Sequence, residues 1–230
     1  MPAATPRFSE EGLRFLRALA RNNNREWFRA RKDIYERTLR APMAAVVEAF
    51  DREFRAFAPE LVAVPRVSIF RIYRDTRFSE DKTPLKTHIA AVFPYHGLPK
   101  GSAPGLYLEV NPRTVFVAGG LYRPDPADLR AVREHLAANY TRFRSIVDSP
   151  GFRRTCGGLQ GDQLQRLPRG YQPDHPAAPY LRYRQLVIAR EFPAALAATA
   201  RFFPTVLRVF RDAAPLVRFL GEPLAPRAAR

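Results

Sequence analysis

Cysteine is nearly absent from this chain, which has a single one, Cys156, among 230 residues. One cysteine excludes an intramolecular disulfide and a zinc site built from several cysteines. Long apolar runs are also missing: no segment approaches the roughly 20 residues needed to span a bilayer. The N-terminus lacks the apolar stretch of a signal peptide. We therefore expect a cytoplasmic protein that does not associate with membranes.

Acidic residues and lysines are scarce beside arginine. The chain has 38 Lys and Arg against 22 Asp and Glu, which gives a formal net charge of +16. Such a charge attracts phosphates, so a phosphate-bearing small molecule or a nucleic acid is one expected partner. The alternative is compositional bias, because Arg, Ala and Pro are enriched together. The basic residues are spread along the chain, so no nucleic-acid-binding arm is predicted.

Apolar residues are plentiful and recur at helical spacing in the first quarter of the chain. Hydrophobic residues make up 46% of the sequence, including 17 Phe and 9 Tyr, enough for an aromatic-rich core. Ser9 and Asn24 are placed to cap the first two helices, and a further helix should begin near Pro42. This part of the chain is therefore predicted to be helical.

A run of strands should follow. β-branched and aromatic residues predict them at 67–73, 88–95, 105–111 and 114–118, with a fifth near 186–189. The short links leave no room for crossover helices, so the sheet should be mainly antiparallel. We predict an α+β fold in one domain over 1–220, with a sheet made mostly of residues 66–120 between N-terminal and C-terminal helices.

The second half of the chain has clear helix signals at its two ends. Asp125-Pro126 is typical of a helix cap and first turn, and helical chain should run from Phe192 to about Leu220. Pro204 and Pro215 predict that this last part is divided into short helices. Residues 151–180 should be irregular, and 221–230 are expected to form a disordered tail.

The most unusual stretch lies between the first two predicted strands, from Arg71 to His88. If 67–73 is extended, Arg71 projects from the sheet among apolar neighbours, where an arginine is costly unless paired. We predict that cations in this stretch bind an anionic group, because arginine donates two parallel hydrogen bonds to phosphate or carboxylate. The predicted ligand-binding residues are Arg71, Arg74, Asp75, Arg77, Ser79, Asp81, Lys82 and Lys86.

Two other interpretations of this stretch stay open. The same charges could form a salt-bridge network that fixes a long loop to the sheet. An enzyme could also use the site, with Asp81 or His88 carrying the proton. A metal site is not predicted, because the local positive charge repels cations.

Weaker candidates lie further along the chain. Gly119 and Gly120 could present backbone N–H groups to an anion or simply form a tight turn. Arg169 and Tyr171 belong to a second polar loop, in which His175 could act as a base. Gly-x-Gly-x-x-Gly and Walker patterns are missing, so no cofactor is predicted.

Several of these motifs, in order, resemble the DUF2461 family of bacterial and fungal proteins. The block from Arg71 to His88 is the most specific match, and the segment from Phe15 through Asn22 to Phe28 and on to Glu36 resembles the family's opening pattern. Further matches are Leu106 to Leu108, Gly119-Gly120 with Tyr122, Pro168 to Tyr171, and Asp174 to Pro176. Leu85 stands where the family usually has Tyr, and Arg169 where it has Lys. The resemblance implies a compact α+β protein and brings no activity with it.

Three classes of function therefore remain. The first is a binding module for a phosphate-bearing small molecule or a nucleic acid. The second is an enzyme acting on such a ligand, and the third is a structural or interaction protein whose charged cluster is architectural.

Overall fold

The computed structural model describes residues 5–77 and 80–225. Its sheet has four antiparallel strands in the order β1-β2-β3-β4. The strands are β1 (Ile89–Pro94), β2 (Gly105–Val110), β3 (Thr114–Leu121) and β4 (Leu186–Pro193). Each strand pairs with the next, as short connections and a mainly antiparallel sheet predict. The predicted α+β class is confirmed.

Helices occur both before β1 and after β3 in the sequence. Those before β1 are α1 (Glu10–Arg21), α2 (Arg25–Arg29), α3 (Lys32–Tyr35), α4 (Ala41–Phe57) and α5 (Pro65–Ser68). Those after β3 are α6 (Pro126–Ala138), α7 (Tyr140–Val147), α8 (Pro150–Cys156), α9 (Ala178–Leu181) and α10 (Phe202–Gly221). A 3₁₀-helix over Ala194–Ala198 leads from β4 towards α10. No helix within the described residues is long and apolar enough to cross a bilayer.

Several helix ends follow the predicted local chemistry. The side chains of Ser9, Asn24 and Asp125 accept hydrogen bonds from backbone N–H groups in the first turns of α1, α2 and α6. The helix expected near Pro42 exists, but it continues from α3 through a π-helical turn, Glu36–Arg40. In that wider turn the Ala41 N–H donates to the Glu36 carbonyl, five residues back.

The predicted strand at 67–73 is wrong. Pro65 begins a helical turn instead, and the N–H groups of Val67 and Ser68 both donate to the Val64 carbonyl, at 2.9 and 2.7 Å. The chain then runs beside β1 with a single bridge, Ile69 to Ala91. Local hydrogen bonding in the turn overrides β propensity, which is weak evidence for a strand.

Three further boundaries differ from prediction. β3 continues through Gly119-Gly120, which pair with both neighbouring strands, rather than ending there. β4 is longer than 186–189 because its pairing with β3 extends to Pro193. The irregular region predicted at 151–180 contains α8, which ends at the left-handed Gly157, and α9.

The predicted division of the last helix is also wrong, because α10 is continuous with Pro215 inside it. Pro204 lies in the first turn, where backbone N–H groups have no partner in the helix. Both prolines are exposed, while the opposite face of α10 is buried. Pro215 has no backbone N–H, so the helix lacks one hydrogen bond there. Burial of the apolar face, which includes Phe210 and Phe219, stabilises the helix despite this loss.

The core lies between one face of the sheet and helices α4 and α10. Phe50 from α4 is its centre, with ring centroids 5.3 Å from Phe93, 4.7 Å from Phe203 and 4.9 Å from Phe210. The other face of the sheet, which we call the open face, bears half-buried side chains such as Tyr107, Glu109 and Phe116. The candidate site lies at the β1–β2 end of this open face.

Candidate anion-binding site

A short antiparallel pairing shapes the stretch from Arg71 to His88. The Arg74 N–H donates to the Pro84 carbonyl at 3.0 Å, and the Lys86 N–H donates to the Ile72 carbonyl at 2.8 Å. Ile72 and Leu85 are buried within this pairing and anchor it to the core. The intervening residues therefore form a loop that is closed at its base. Ser79, a predicted ligand-binding residue, lies outside the described residues.

Asn23, in the turn between α1 and α2, holds the base of this loop. Its amide nitrogen donates to the Leu85 carbonyl at 2.8 Å, and its amide oxygen accepts from the Leu85 N–H at 3.1 Å. One side chain thus satisfies both backbone groups of a residue 62 positions away. This contact joins the N-terminal helices to the charged stretch.

Arg74 and Asp81 form a brace across the loop. Arg74 donates to the Asp81 carboxylate and also to the Thr83 hydroxyl, at 2.6 Å. Asp81 accepts in addition from the Thr83 N–H at 2.9 Å. Hydrogen bonds from Arg74, and then those from Thr83, lower the Asp81 pKa to about 2. Such a carboxylate stays ionised near neutral pH, which makes Asp81 a poor proton carrier.

Two more predicted cations are engaged within the loop itself. Arg77 donates to both carboxylate oxygens of Asp75, at 3.0 and 2.8 Å, and these bonds lower the Asp75 pKa to about 2. The Lys82 ammonium donates to the Thr76 carbonyl at 3.1 Å. Arg74, Arg77 and Lys82 therefore all have partners inside the stretch, as a structural brace would require.

The remaining two predicted cations, Arg71 and Lys86, belong to a different arrangement. The Lys86 ammonium lies 4.7 Å from the centroid of the Phe70 ring, and the Lys100 ammonium lies 4.3 Å from the same centroid. Lys100 also donates to the Val67 carbonyl at 2.6 Å. We call Arg71, Lys86, Lys100 and Phe70 the Phe70 group.

Like charges converge in the Phe70 group. Burial lowers the Lys86 pKa and the positive charge of Arg71 lowers it further, while the negative charge of Glu109 opposes both. Burial also lowers the Lys100 pKa, and the charge of Lys86 adds to this effect. Within residues 5–77 and 80–225, none of these three cations forms an ion pair. An anion bound among them would relieve their repulsion.

His88 lies beside the Phe70 group on the open face. Its Nε2 atom is 3.7 Å from a carboxylate oxygen of Glu109. The same carboxylate accepts from the Tyr107 hydroxyl at 2.7 Å and from the Asn111 amide at 3.0 Å. Burial lowers the His88 pKa, Glu109 opposes this, and Lys86 and Arg74 lower it further. His88 is therefore a neutral imidazole near pH 7, next to a carboxylate held in place by two donors.

The weaker candidates are dispersed. Gly119 and Gly120 lie inside β3, and a Cβ at Gly120 would collide with the Leu186 carbonyl, so close strand packing explains this glycine. The His175 ring accepts from the Ala177 N–H at 3.1 Å. Arg169 and Tyr171 line a cleft of about 920 Å³ beside α6. The lining of this cleft includes no residue of the Phe70 group.

Sequence patterns alone missed Lys100, Phe70 and Asn23 as parts of the site. One signal could have found Lys100: lysine is rare in this chain, and Lys82, Lys86 and Lys100 are three of its four lysines. Nothing local marks Phe70, and the motif that contains Asn23 gives no sign of its contact with Leu85, because both roles arise from contacts across the fold.

The sequence matches a known protein family. No curated protein matches the chain. One family model, described as a conserved hypothetical protein, matches residues 11–219 and so covers nearly every element from α1 to α10. The matched range includes the charged stretch, the open face and the cleft beside α6. The chain therefore belongs to the DUF2461 family.

Proposed function

We propose that the protein binds a phosphate-bearing small molecule at the Phe70 group. The observation that carries this proposal is the convergence of Lys86 and Lys100 on one aromatic ring, with Arg71 nearby and none of the three in an ion pair within the described residues. Converging cations destabilise one another unless an anion neutralises them. A phosphate suits this arrangement because it offers several oxygens to separate donors.

The brace supports the proposal by holding this site in shape. Arg74 and Arg77 are engaged by Asp81 and Asp75, which leaves them to fix the loop rather than to meet the ligand. The Lys86 backbone is held by Ile72, and Asn23 binds the neighbouring Leu85. A site whose backbone is fixed in advance loses less entropy when the ligand binds.

Calorimetric titration with pyrophosphate tests the proposal. Lys86→Gln and Lys100→Gln should each weaken binding by about tenfold, the effect of losing roughly 1.4 kcal/mol of charge-assisted hydrogen bonding. Lys32→Gln is the matched control, because Lys32 is an exposed lysine on α3, away from the site. Equal binding by Lys86→Gln, Lys100→Gln and Lys32→Gln would contradict the proposal and favour a purely architectural role.

A second candidate is an enzyme that acts on the bound phosphate compound, favoured by the arrangement of His88 and Glu109. A neutral imidazole beside an oriented carboxylate can accept a proton from a substrate hydroxyl or from water. This candidate would be supported if the protein turns over a general phosphate ester and His88→Gln loses this activity but still binds pyrophosphate. Turnover that persists in His88→Gln would exclude His88 as the base.

We also propose the cytoplasm as the compartment. The lone, buried Cys156 supports this assignment, because oxidising compartments favour proteins with disulfides. Cell fractionation that locates a tagged form of the protein tests this assignment.

A further inference from the structure

We propose a second binding site, for a small organic phosphate, in the cleft beside α6. Its walls come from α6, from the loop that contains Arg169 and Tyr171, and from Arg184 just before β4. At about 920 Å³ the cleft falls within the size range of ligand pockets. The residues that line this cleft include none of the Phe70 group.

Four arginines line the cleft: Arg130, Arg133, Arg169 and Arg184. Glu134 is the acidic residue among the lining side chains. In the part of the chain that the structure describes, none of the four arginines forms an ion pair. Elsewhere the protein does pair many of its arginines, as with Arg37 and Glu11 or Arg211 and Glu53. What distinguishes the four arginines of the cleft is that they line one cavity together.

Arg133 carries an unmet hydrogen-bonding group at this site. One of its terminal nitrogens donates to the Tyr183 carbonyl at 2.9 Å, which fixes the guanidinium in place. Its Nε atom is buried and has no hydrogen-bond partner among the described residues. Burying an N–H group without a partner is unfavourable, so an acceptor supplied by a ligand would stabilise the protein.

Electrostatics at Arg133 point the same way. Burial lowers its pKa, Tyr171 opposes this, and the charge of Arg184 lowers it further. The guanidinium nevertheless stays charged at neutral pH, because arginine does not lose its proton in proteins. A buried, repelled cation is an unfavourable feature unless an anion enters beside it.

The rest of the lining indicates what the anion is attached to. The cleft has apolar walls formed by Leu129, Leu164 and Tyr171 together with Pro124, Pro126 and Pro168. Inorganic phosphate alone would leave these walls in contact with water. A phosphate joined to a flat apolar body would bury them and place its oxygens against the arginine forks.

Binding of phenyl phosphate, inorganic phosphate and phenol, each followed by calorimetry, tests this site. Phenyl phosphate should bind more tightly than the other two. Arg169→Gln and Arg184→Gln should each weaken it about tenfold, the loss expected for one charge-assisted contact. Arg166→Gln is the matched control, because Arg166 is exposed on the same loop and does not line the cleft.

A second comparison separates this site from the Phe70 group and from loss of folding. Arg133→Lys keeps the charge but removes the Nε–H. It should therefore weaken the binding of phenyl phosphate while the circular dichroism spectrum stays unchanged. The loss of phenyl phosphate binding caused by Arg169→Gln should be the same in a Lys86→Gln background, because Lys86 does not line the cleft. Full binding in both Arg169→Gln and Arg184→Gln, or an equal loss in Arg166→Gln, would overturn the site. Lack of saturable binding of phenyl phosphate to the unmodified protein would overturn the ligand class.

Discussion

At the scale of single residues, Asn23 is the clearest link between distant parts of the chain. Asn23→Ala would leave the N–H and carbonyl of Leu85 without partners in a partly buried place. We expect a loss of about 1–3 kcal/mol in the free energy of unfolding, measured by urea denaturation. Asn22→Ala is the control, because the exposed Asn22 amide donates only to the end of α1. An equal loss in the free energy of unfolding in Asn22→Ala would contradict this role for Asn23.

His88 predicts a pH dependence of stability. Burial lowers its pKa below the ordinary value of 6.5, so the unfolded chain binds a proton that the folded chain resists. The contribution of His88 to stability is therefore full above about pH 6.5 and is lost as the pH falls through the lowered folded pKa. Urea denaturation from about pH 7.5 to about 5.5 should show a smaller loss of stability in His88→Gln than in the unmodified protein.

His96→Gln serves as the control for this titration. His96 is exposed, so His96→Gln controls for the loss of an imidazole that is not buried. Identical pH profiles for His88→Gln and the unmodified protein would show that His88 does not have the lowered pKa.

At the scale of elements, the brace between Arg74 and Asp81 should control the order of the charged loop. Asp81→Asn removes the charge that Arg74 and the Thr83 N–H bind. We expect trypsin to cleave faster after Lys82, with little change in the global free energy of unfolding, because exposed ion pairs contribute little to it. Glu80→Gln, an exposed neighbour, should not change the rate. Equal rates in Asp81→Asn and the unmodified protein would contradict the brace.

Helix α10 provides a matched pair of prolines. Pro215→Ala restores a backbone N–H in the helix interior, where proline is costly. Part of this gain is offset because the unfolded chain becomes less rigid without the proline, so the free energy of unfolding should rise by about 1–2 kcal/mol. Pro204→Ala, in the first turn, restores an N–H that has no partner in the helix and should give no gain. Thermal unfolding of the two variants measures this difference. A gain from Pro204→Ala equal to that from Pro215→Ala would refute the explanation.

At the scale of the whole molecule, the net charge of +16 should give weak, non-specific attraction to nucleic acid. Duplex DNA should bind at low ionic strength, and the binding should fall steeply as salt is added. Because the charge is spread over the surface, Lys86→Gln and Lys32→Gln should reduce this binding equally and slightly, as measured by fluorescence anisotropy. Loss of DNA binding in Lys86→Gln alone would instead make nucleic acid the ligand of the Phe70 group.

Local sequence patterns were enough to predict the α+β class, the helix caps at Ser9, Asn24 and Asp125, and the concentration of charge between Arg71 and His88. These features depend on residues close together in the chain: a cap and its first turn, or a strand and its short connection to the next. Local chemistry of this kind can be read without knowing the fold. The family resemblance also came from such local motifs in order.

The ends of the strands and the pairing of the cations depend on contacts in the folded protein. Segment 67–73 failed as a strand because a helical turn at Pro65 satisfied its first hydrogen bonds. α10 stayed whole across Pro215 because burial of its apolar face outweighs one missing bond. The convergence of Lys86 and Lys100 on Phe70, like the four arginines of the cleft, joins residues far apart in the chain. Such contacts depend on how the packed elements place their side chains, which no local pattern encodes.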